Sequence, residues 1–143
     1  MSVITVTNGE ALDLAQINSD GIEHLDLEVP ILTRPQRQGD VLVLPVGERK
    51  VRGDAVPPRG VTVVRGETEG GNAHIVHALY GECLWAPNPD AETDLAQGWL
   101  TVTDESAATV IHTQEHNVLG VGPGTYEIRR QREFAGEWRR VSD

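Results

Sequence analysis

The chain is poor in the residues that usually build disulfides or aromatic cores. It contains a single cysteine, Cys83, together with three tryptophans, two tyrosines and one phenylalanine in 143 residues. One cysteine cannot form an internal disulfide, which favours a reducing cytoplasm. We interpret Cys83 as a small buried apolar residue, because free cysteines are among the most buried residue types.

Several features of membrane proteins, secreted proteins and enzymes are also missing. No apolar run reaches the roughly 18 residues of a membrane-spanning helix, so we expect no membrane partner. The start, MSVITVTNGEALDL, lacks a basic region before an apolar core, so no signal peptide is expected. No serine lies in a GxSxG elbow, and GVGPG (120–124) leads into a strand rather than a phosphate-binding helix. These absences argue against an enzyme, although they do not exclude one.

The distribution of charge is uneven. The net charge of −10 opposes binding to nucleic acid, and no aromatic residues interleave with the basic ones. The first 33 residues hold six acids and no Lys or Arg: Glu10, Asp13, Asp20, Glu23, Asp26 and Glu28. The far end of the chain carries five arginines: Arg129, Arg130, Arg132, Arg139 and Arg140. Because the arginine fork suits carboxylates, we predict a partner-binding role for these arginines and for the arm acids Asp20, Glu23, Asp26 and Glu28. An anion site is the alternative.

The pattern of the chain changes at about Gly39. Residues 1–38 form an acidic arm with little core-building content, in which Asn8 is predicted to cap a short helix from Glu10 to Ile17. Pro30 and Pro35 then hold the chain extended. Such an arm is expected to lie as a strap over the domain, or to exchange with a neighbouring subunit.

Residues 39–143 read as a β-domain. Short β-branched runs separated by turn residues predict strands at 41–46, 61–66, 74–80, 82–85, 98–103, 108–113 and 125–133. The polar connections 47–60 and 86–97 read as surface loops, with a brief strand contact at Val51. The predicted fold is therefore all-β, a small sandwich or barrel with an extended N-terminal arm carrying at most one or two short helices.

The histidines suggest a metal site. His112 and His116 are four residues apart and share a face, whereas His74 and His77 point to opposite faces of a regular strand. A site for a divalent transition metal is predicted from His74, His112 and His116, with Glu115 or Glu82 as an added carboxylate. The alternative is a half-buried, hydrogen-bonded His112 that needs no metal, and then no cofactor is required.

Four segments carry a resemblance to a known family: GDVLVLPV (39–46), RGETEGGNAHIV (65–76), TQEHNVLGVGPGTYEIRRQREF (113–134) and RRVSD (139–143). They resemble a family of small uncharacterised bacterial proteins with the pattern GE-x-TGHAH, H-x-EH, PPGxYxVxRQREY and RxVAD. His74 matches the second histidine of GHAH and His116 matches the EH histidine, whereas Asn72 replaces the first. The chain is also loosely similar to cupins, but it lacks their HxH spacing. The family implies no activity.

Three hypotheses of function follow from these features. The first is a non-enzymatic acidic β-domain protein that self-assembles or binds a macromolecular partner through its arm and its arginine-rich strand. The second is a metal-dependent, cupin-like small-molecule enzyme or sensor that uses the three histidines. The third is a phage-type capsid or decoration component, by analogy of architecture. The first hypothesis implies a homo-oligomer or a protein partner.

Overall fold

A computed structural model describes residues 5–22, 25–47, 53–65, 73–134 and 138–140, and it confirms an all-β fold with a short N-terminal helix. Residues 132–134 and 138–140 are described by their backbone. The helix is α1 (Asn8–Leu14). The strands are β1 (Ile31–Leu32), β2 (Gln36–Gln38), β3 (Val41–Pro45), β4 (Asp54–Ala55), β5 (Val61–Val64), β6 (His74–Tyr80), β7 (Cys83–Pro87), β8 (Ala96–Val102), β9 (Ala107–His112), β10 (Val118–Val121), β11 (Gly124–Arg130), β12 (Arg132–Phe134) and β13 (Trp138–Arg140).

Two sheets pack face to face, and a hairpin pairs with neither. Sheet I has the strand order β1-β10-β9-β6-β5, and sheet II has the order β2-β3-β11-β8-β7-β4. Among the described residues, strands β12 and β13 pair with each other and with no strand of either sheet. All neighbours in the two sheets are antiparallel except β1, which runs parallel to β10. The chain crosses between the two sheets several times, as in other β-sandwiches.

The core lies between the inner faces of the two sheets. Alternating apolar side chains point inward from both, so that Val76 and Val110 of sheet I face Val43, Leu100 and the other apolar positions of sheet II. On β11, Tyr126 and Ile128 are buried as the alternation predicts. Valine, leucine and isoleucine fill most of this core because few aromatic residues are available.

The N-terminal arm covers the outer face of sheet I. Thr7, rather than the predicted Asn8, caps α1: its hydroxyl accepts from the Glu10 N–H, and the Glu10 carboxylate accepts from the Thr7 N–H. The helix ends at Leu14, earlier than the predicted Ile17. Leu12 and Ala15 pack on Ile111 of β9. The arm is therefore a strap laid over its own domain.

Strand β10 was not predicted, because its last two residues, Gly120 and Val121, belong to GVGPG, which resembles a turn. It pairs with β9 on one side and with β1 on the other. A side chain at Gly120 would place its Cβ 2.5 Å from the Pro30 carbonyl oxygen, so glycine permits the close approach of β1. The chain then turns at Gly122 and Pro123 and enters β11 in the other sheet. The predicted strand contact at Val51 lies outside the described residues.

Strands β1 and β2 precede the predicted division at residue 39, yet they belong to the sheets. Residues 36–38 and 41–43 form a hairpin closed by Gly39 and Asp40, and Gly39 has φ = 60°. Two-residue hairpin loops require positive φ, which explains the glycine. This hairpin positions Gln38 and Asp40 at the end of the sandwich.

Two leucines of α1 provide a matched test of how the arm is held. Leu12 is 0 % exposed and Leu14 is 59 % exposed. We expect Leu12→Ala to lower the free energy of unfolding by about 2–5 kcal/mol, because it leaves a cavity against Ile111. Leu14→Ala should change it by less than about 0.5 kcal/mol. Urea unfolding measures both, and equal losses would show that the arm does not pack as described.

Candidate functional site

Two histidines meet in the interior, between the sheets. His74 of β6 is directly opposite His112 of β9 in the strand register. Their ring centroids are 4.7 Å apart with an interplanar angle of 74°, an edge-on arrangement. His74 is 0 % exposed and His112 is 2 % exposed. The pairing is thus a property of the sheet register, which brings together residues distant in sequence.

A glutamine from the other sheet fixes the protonation of His74. The Gln38 amide nitrogen donates to the carbonyl oxygens of Val110, at 3.0 Å, and Asn117, at 2.9 Å. The Gln38 amide oxygen therefore faces His74 Nδ1, at 2.8 Å, and can only accept. His74 must carry its proton on Nδ1, so the Nε2 of the neutral ring has a lone pair.

His112 adopts the opposite tautomer. Its Nδ1 accepts from the backbone N–H of Glu115 at 3.0 Å, in the turn that follows β9. The proton of the neutral ring must then be on Nε2. The same turn is closed by the His116 N–H, which donates to the His112 carbonyl oxygen at 2.8 Å. His116 itself has φ = 58°, a left-handed backbone conformation that is uncommon outside glycine.

An aspartate and an arginine extend the cluster across the interior. The Asp40 carboxylate is 3.9 Å from His74 Nε2 and 3.8 Å from Arg130 Nη1. Arg130, 4 % exposed, also donates from Nε to the Gln97 amide oxygen at 3.4 Å and from Nη2 to the Arg65 carbonyl oxygen. Buried charges require such partners, because desolvation of an isolated charge is costly. The cluster thereby connects strands of both sheets.

Burial controls the ionisation of His74. Desolvation, and after it the neighbouring His112, lowers its pKa from 6.5 to about 4, whereas Asp40 acts in the opposite direction. His74 is consequently neutral at pH 7. A neutral, tautomerically fixed imidazole can accept a hydrogen bond or bind a metal through Nε2.

The structure brings together part of the predicted metal set. His74 and His112 are in contact, and His116 lies in the turn just after β9. Across the described ranges, no three His, Cys, Asp or Glu side chains are placed to hold one ion. His77 is buried on the opposite face of β6, as predicted, and burial lowers its pKa. The three-histidine metal site stays a prediction.

The arginines that were predicted to bind a partner lie in different environments. Arg130 is inside the domain and pairs with Asp40, not with the arm; Arg129 pairs with Glu127 at 3.4 Å. Both lie on β11 of sheet II, whereas the arm lies on sheet I. The backbone register of the hairpin places Arg132 opposite Arg140 and Arg139 opposite Glu133. On the arm, Asp20, Asp26 and Glu28 are exposed, and Glu23 lies outside the described residues.

Cys83 is buried in the core, and burial raises the pKa of its thiol to about 11. Because the thiolate is the nucleophile, this cysteine is unreactive at neutral pH. This confirms the interpretation of Cys83 as a core residue. Within the described part of the chain, no helix is both long enough and apolar enough to cross a membrane.

Three residues of the cluster were not predicted from the sequence, namely Gln38, Asp40 and Gln97. The signal for Arg130 was available: it is two residues after Ile128, so strand alternation places it on the inner face with Tyr126 and Ile128. Gly39-Asp40 between two short strands was a hairpin signal. Gln97 had no comparable signal, because its position depends on how the loop before β8 folds.

The fold and its interior define a small all-β sandwich domain with a buried polar cluster. The chain belongs to the family described as a domain of unknown function (DUF8820), which matches residues 37–131. No curated protein and no solved structure matches it. Membership in a family of unknown function is thus confirmed, whereas the detailed sequence pattern and the likeness to cupins stay predictions.

The neutral His74 makes stability depend on pH. Its folded pKa of about 4 is below the unfolded value of 6.5, so the unfolded state binds more protons between these values. The stabilisation is present above pH 6.5 and is lost as pH falls, on the order of 2 kcal/mol between about pH 7 and pH 5. We expect His74→Asn, which retains a donor near Gln38, to flatten this dependence. Denaturant unfolding at several pH values measures it.

His116→Asn is the matched control for the pH experiment, because His116 is only partly buried. It should leave the slope between about pH 7 and pH 5 as it is in the parent protein. Equal flattening by both substitutions, or an unchanged slope in His74→Asn, would contradict a buried neutral His74.

Proposed function

We propose that this protein is a non-enzymatic domain that associates with further copies of itself through its acidic arm and its arginine-rich C-terminal hairpin. The observation that carries the proposal is that the two charged segments belong to different elements of the fold. The arm packs on sheet I, and among the described residues β12 and β13 pair with each other and with neither sheet. Segments of opposite charge on one chain can pair between two copies.

The acidic segment has a surface suited to this contact. Asp20, Asp26 and Glu28 are exposed, and no Lys or Arg lies in the first 33 residues to neutralise them. Val6, Ala11 and Leu12 of the arm are buried against the domain, whereas these three acids are exposed. Charges at the rim of an interface mainly steer association and select the partner.

The basic segment is gathered by the strand register. Arg132, Arg139 and Arg140 lie on one two-stranded hairpin, with Arg132 opposite Arg140. Like charges at directly opposite positions disfavour a hairpin, so a carboxylate-bearing partner would stabilise this one. The arm of a second copy supplies such carboxylates. The contact joins two different surfaces, and it is therefore heterologous.

Charge reversal tests the association directly. Light scattering over a range of concentrations should show that Asp26→Lys with Glu28→Lys weakens association roughly tenfold, and Arg139→Glu with Arg140→Glu equally so. Combining the four substitutions should restore association, because the complementarity is re-formed with exchanged signs. Added salt should weaken association of the parent protein.

The control is Asp104→Lys with Glu105→Lys, which changes the net charge equally at exposed positions away from the arm. It should leave association unchanged. A protein that is monomeric at every concentration, or a control pair as disruptive as the arm pair, would overturn the proposal.

A metal-dependent function is the second candidate, favoured by the contact between His74 and His112. His116 is the third histidine of the proposed set, and binding one ion through all three requires the His112 ring to release the Glu115 N–H that its Nδ1 accepts. Calorimetric titration with Zn²⁺ should give binding that His116→Ala weakens about 10-fold or more, because one of three ligands is lost. His24→Ala, outside the set, is the control. Absence of uptake of zinc, iron, nickel and manganese would remove this candidate.

A further inference from the structure

A pocket opens between the edges of the two sheets, next to the buried cluster. Its volume is about 480 Å³, within the range typical of small-molecule sites. Its lining combines charged, amide and apolar side chains, among them Val63, Arg65, Trp85, Glu92, Gln97 and Arg130. Arg130 thus belongs both to the buried cluster and to the pocket.

Most polar groups in the wall already have partners, so the pocket is preformed. The Gln97 amide nitrogen donates to the carbonyl oxygens of Ala91, Asp94 and Leu95, each at 3.2 Å. The Asn88 amide nitrogen donates to the Ala96 carbonyl oxygen at 2.8 Å. These bonds hold the loop between β7 and β8 in shape. A preformed wall lowers the entropy lost when a ligand binds.

The remaining groups can bind a ligand. Arg65 and Glu92 are exposed at the pocket, whereas the Nη1 of buried Arg130 is 3.8 Å from its ion-pair partner Asp40. Because Asp40 neutralises Arg130, Arg65 and Glu92 are the charged groups of the described lining that can meet a ligand. This balance is near neutral, so it does not suit a polyanion, which a chain of net charge −10 would also repel. It suits a ligand that carries one charge of each sign.

An apolar groove continues from this pocket. A second pocket of about 370 Å³ shares Thr62, Trp85 and Pro87 with the first, and Val56, Pro57 and Val61 also line it. Trp85 is therefore the common wall of a polar end and an apolar end. Trp85 is 7 % exposed, so it offers a small aromatic patch to an apolar group, and Val56, Pro57 and Val61 extend that apolar surface.

We propose that this pocket binds a free amino acid with a large apolar side chain. Arg65 receives the carboxylate, because its guanidinium group matches the planar carboxylate geometry. Glu92 receives the ammonium group, and the side chain lies along Trp85 toward the apolar groove. The proposal does not depend on self-association, and its failure would leave that proposal untouched.

Calorimetry of the full chain with L-phenylalanine tests the site. A Kd of about 1 mM or tighter is expected for a ligand of this size. N-acetyl-L-phenylalanine lacks the ammonium charge and L-phenylalaninamide lacks the carboxylate, so each should bind at least about tenfold more weakly. Glycine, without the apolar group, should also bind at least about tenfold more weakly.

Two pocket variants and one control complete the test. Arg65→Gln and Glu92→Gln, both at exposed positions that should not disturb folding, are each expected to weaken L-phenylalanine binding about tenfold. Arg37→Gln, exposed on β2 outside the pocket lining, should bind as the parent protein does. No binding of L-phenylalanine, equal binding of the capped compounds or glycine, or unchanged affinity in Arg65→Gln would overturn the proposal.

Discussion

The amide of Gln38 bridges the two sheets, and the organisation of the interior depends on this contact. From the β2–β3 hairpin of sheet II it donates to Val110 on β9 of sheet I and accepts from His74 on β6. One side chain thereby fixes the spacing of the sheets at this end and the tautomer of the central histidine. A buried amide with both of its ends bonded confers specificity as well as stability, because every alternative register leaves polar atoms unsatisfied.

The charged part of the cluster follows from the same hairpin. Gly39, with its positive φ, forms the tight loop of the hairpin. The next residue, Asp40, points inward toward His74 and Arg130. Arg130 then spans from the interior to the pocket beside Trp85. The interior is thus a continuous polar path from His112 to the opening between the sheets. The acidic arm packs on the outer face of sheet I, away from this path.

Much of the architecture could be predicted from the sequence, because short-range patterns determine it. The run HIVHALY predicted β6 with the bounds that the structure shows. The alternation of apolar and polar residues in β11 correctly predicted Tyr126 and Ile128 in the core. Strand β10 was missed because Gly120 resembles a turn residue, and only the close approach of β1 explains that glycine. The cap of α1 shifted to Thr7 because Glu10 completes a capping box there.

The candidate site was less accessible to sequence reasoning, because long-range register creates it. Gln38 and His74 are far apart in sequence, and nothing in either local segment indicates their contact. The most direct test of the account is the tautomeric state of the two buried histidines, measured by ¹⁵N–¹H correlation NMR of the imidazole rings at about pH 7. We expect a neutral His74 with its proton on Nδ1, and a His112 ring with its proton on Nε2 and not on Nδ1. The same tautomer in both rings, or a protonated His74, would contradict it.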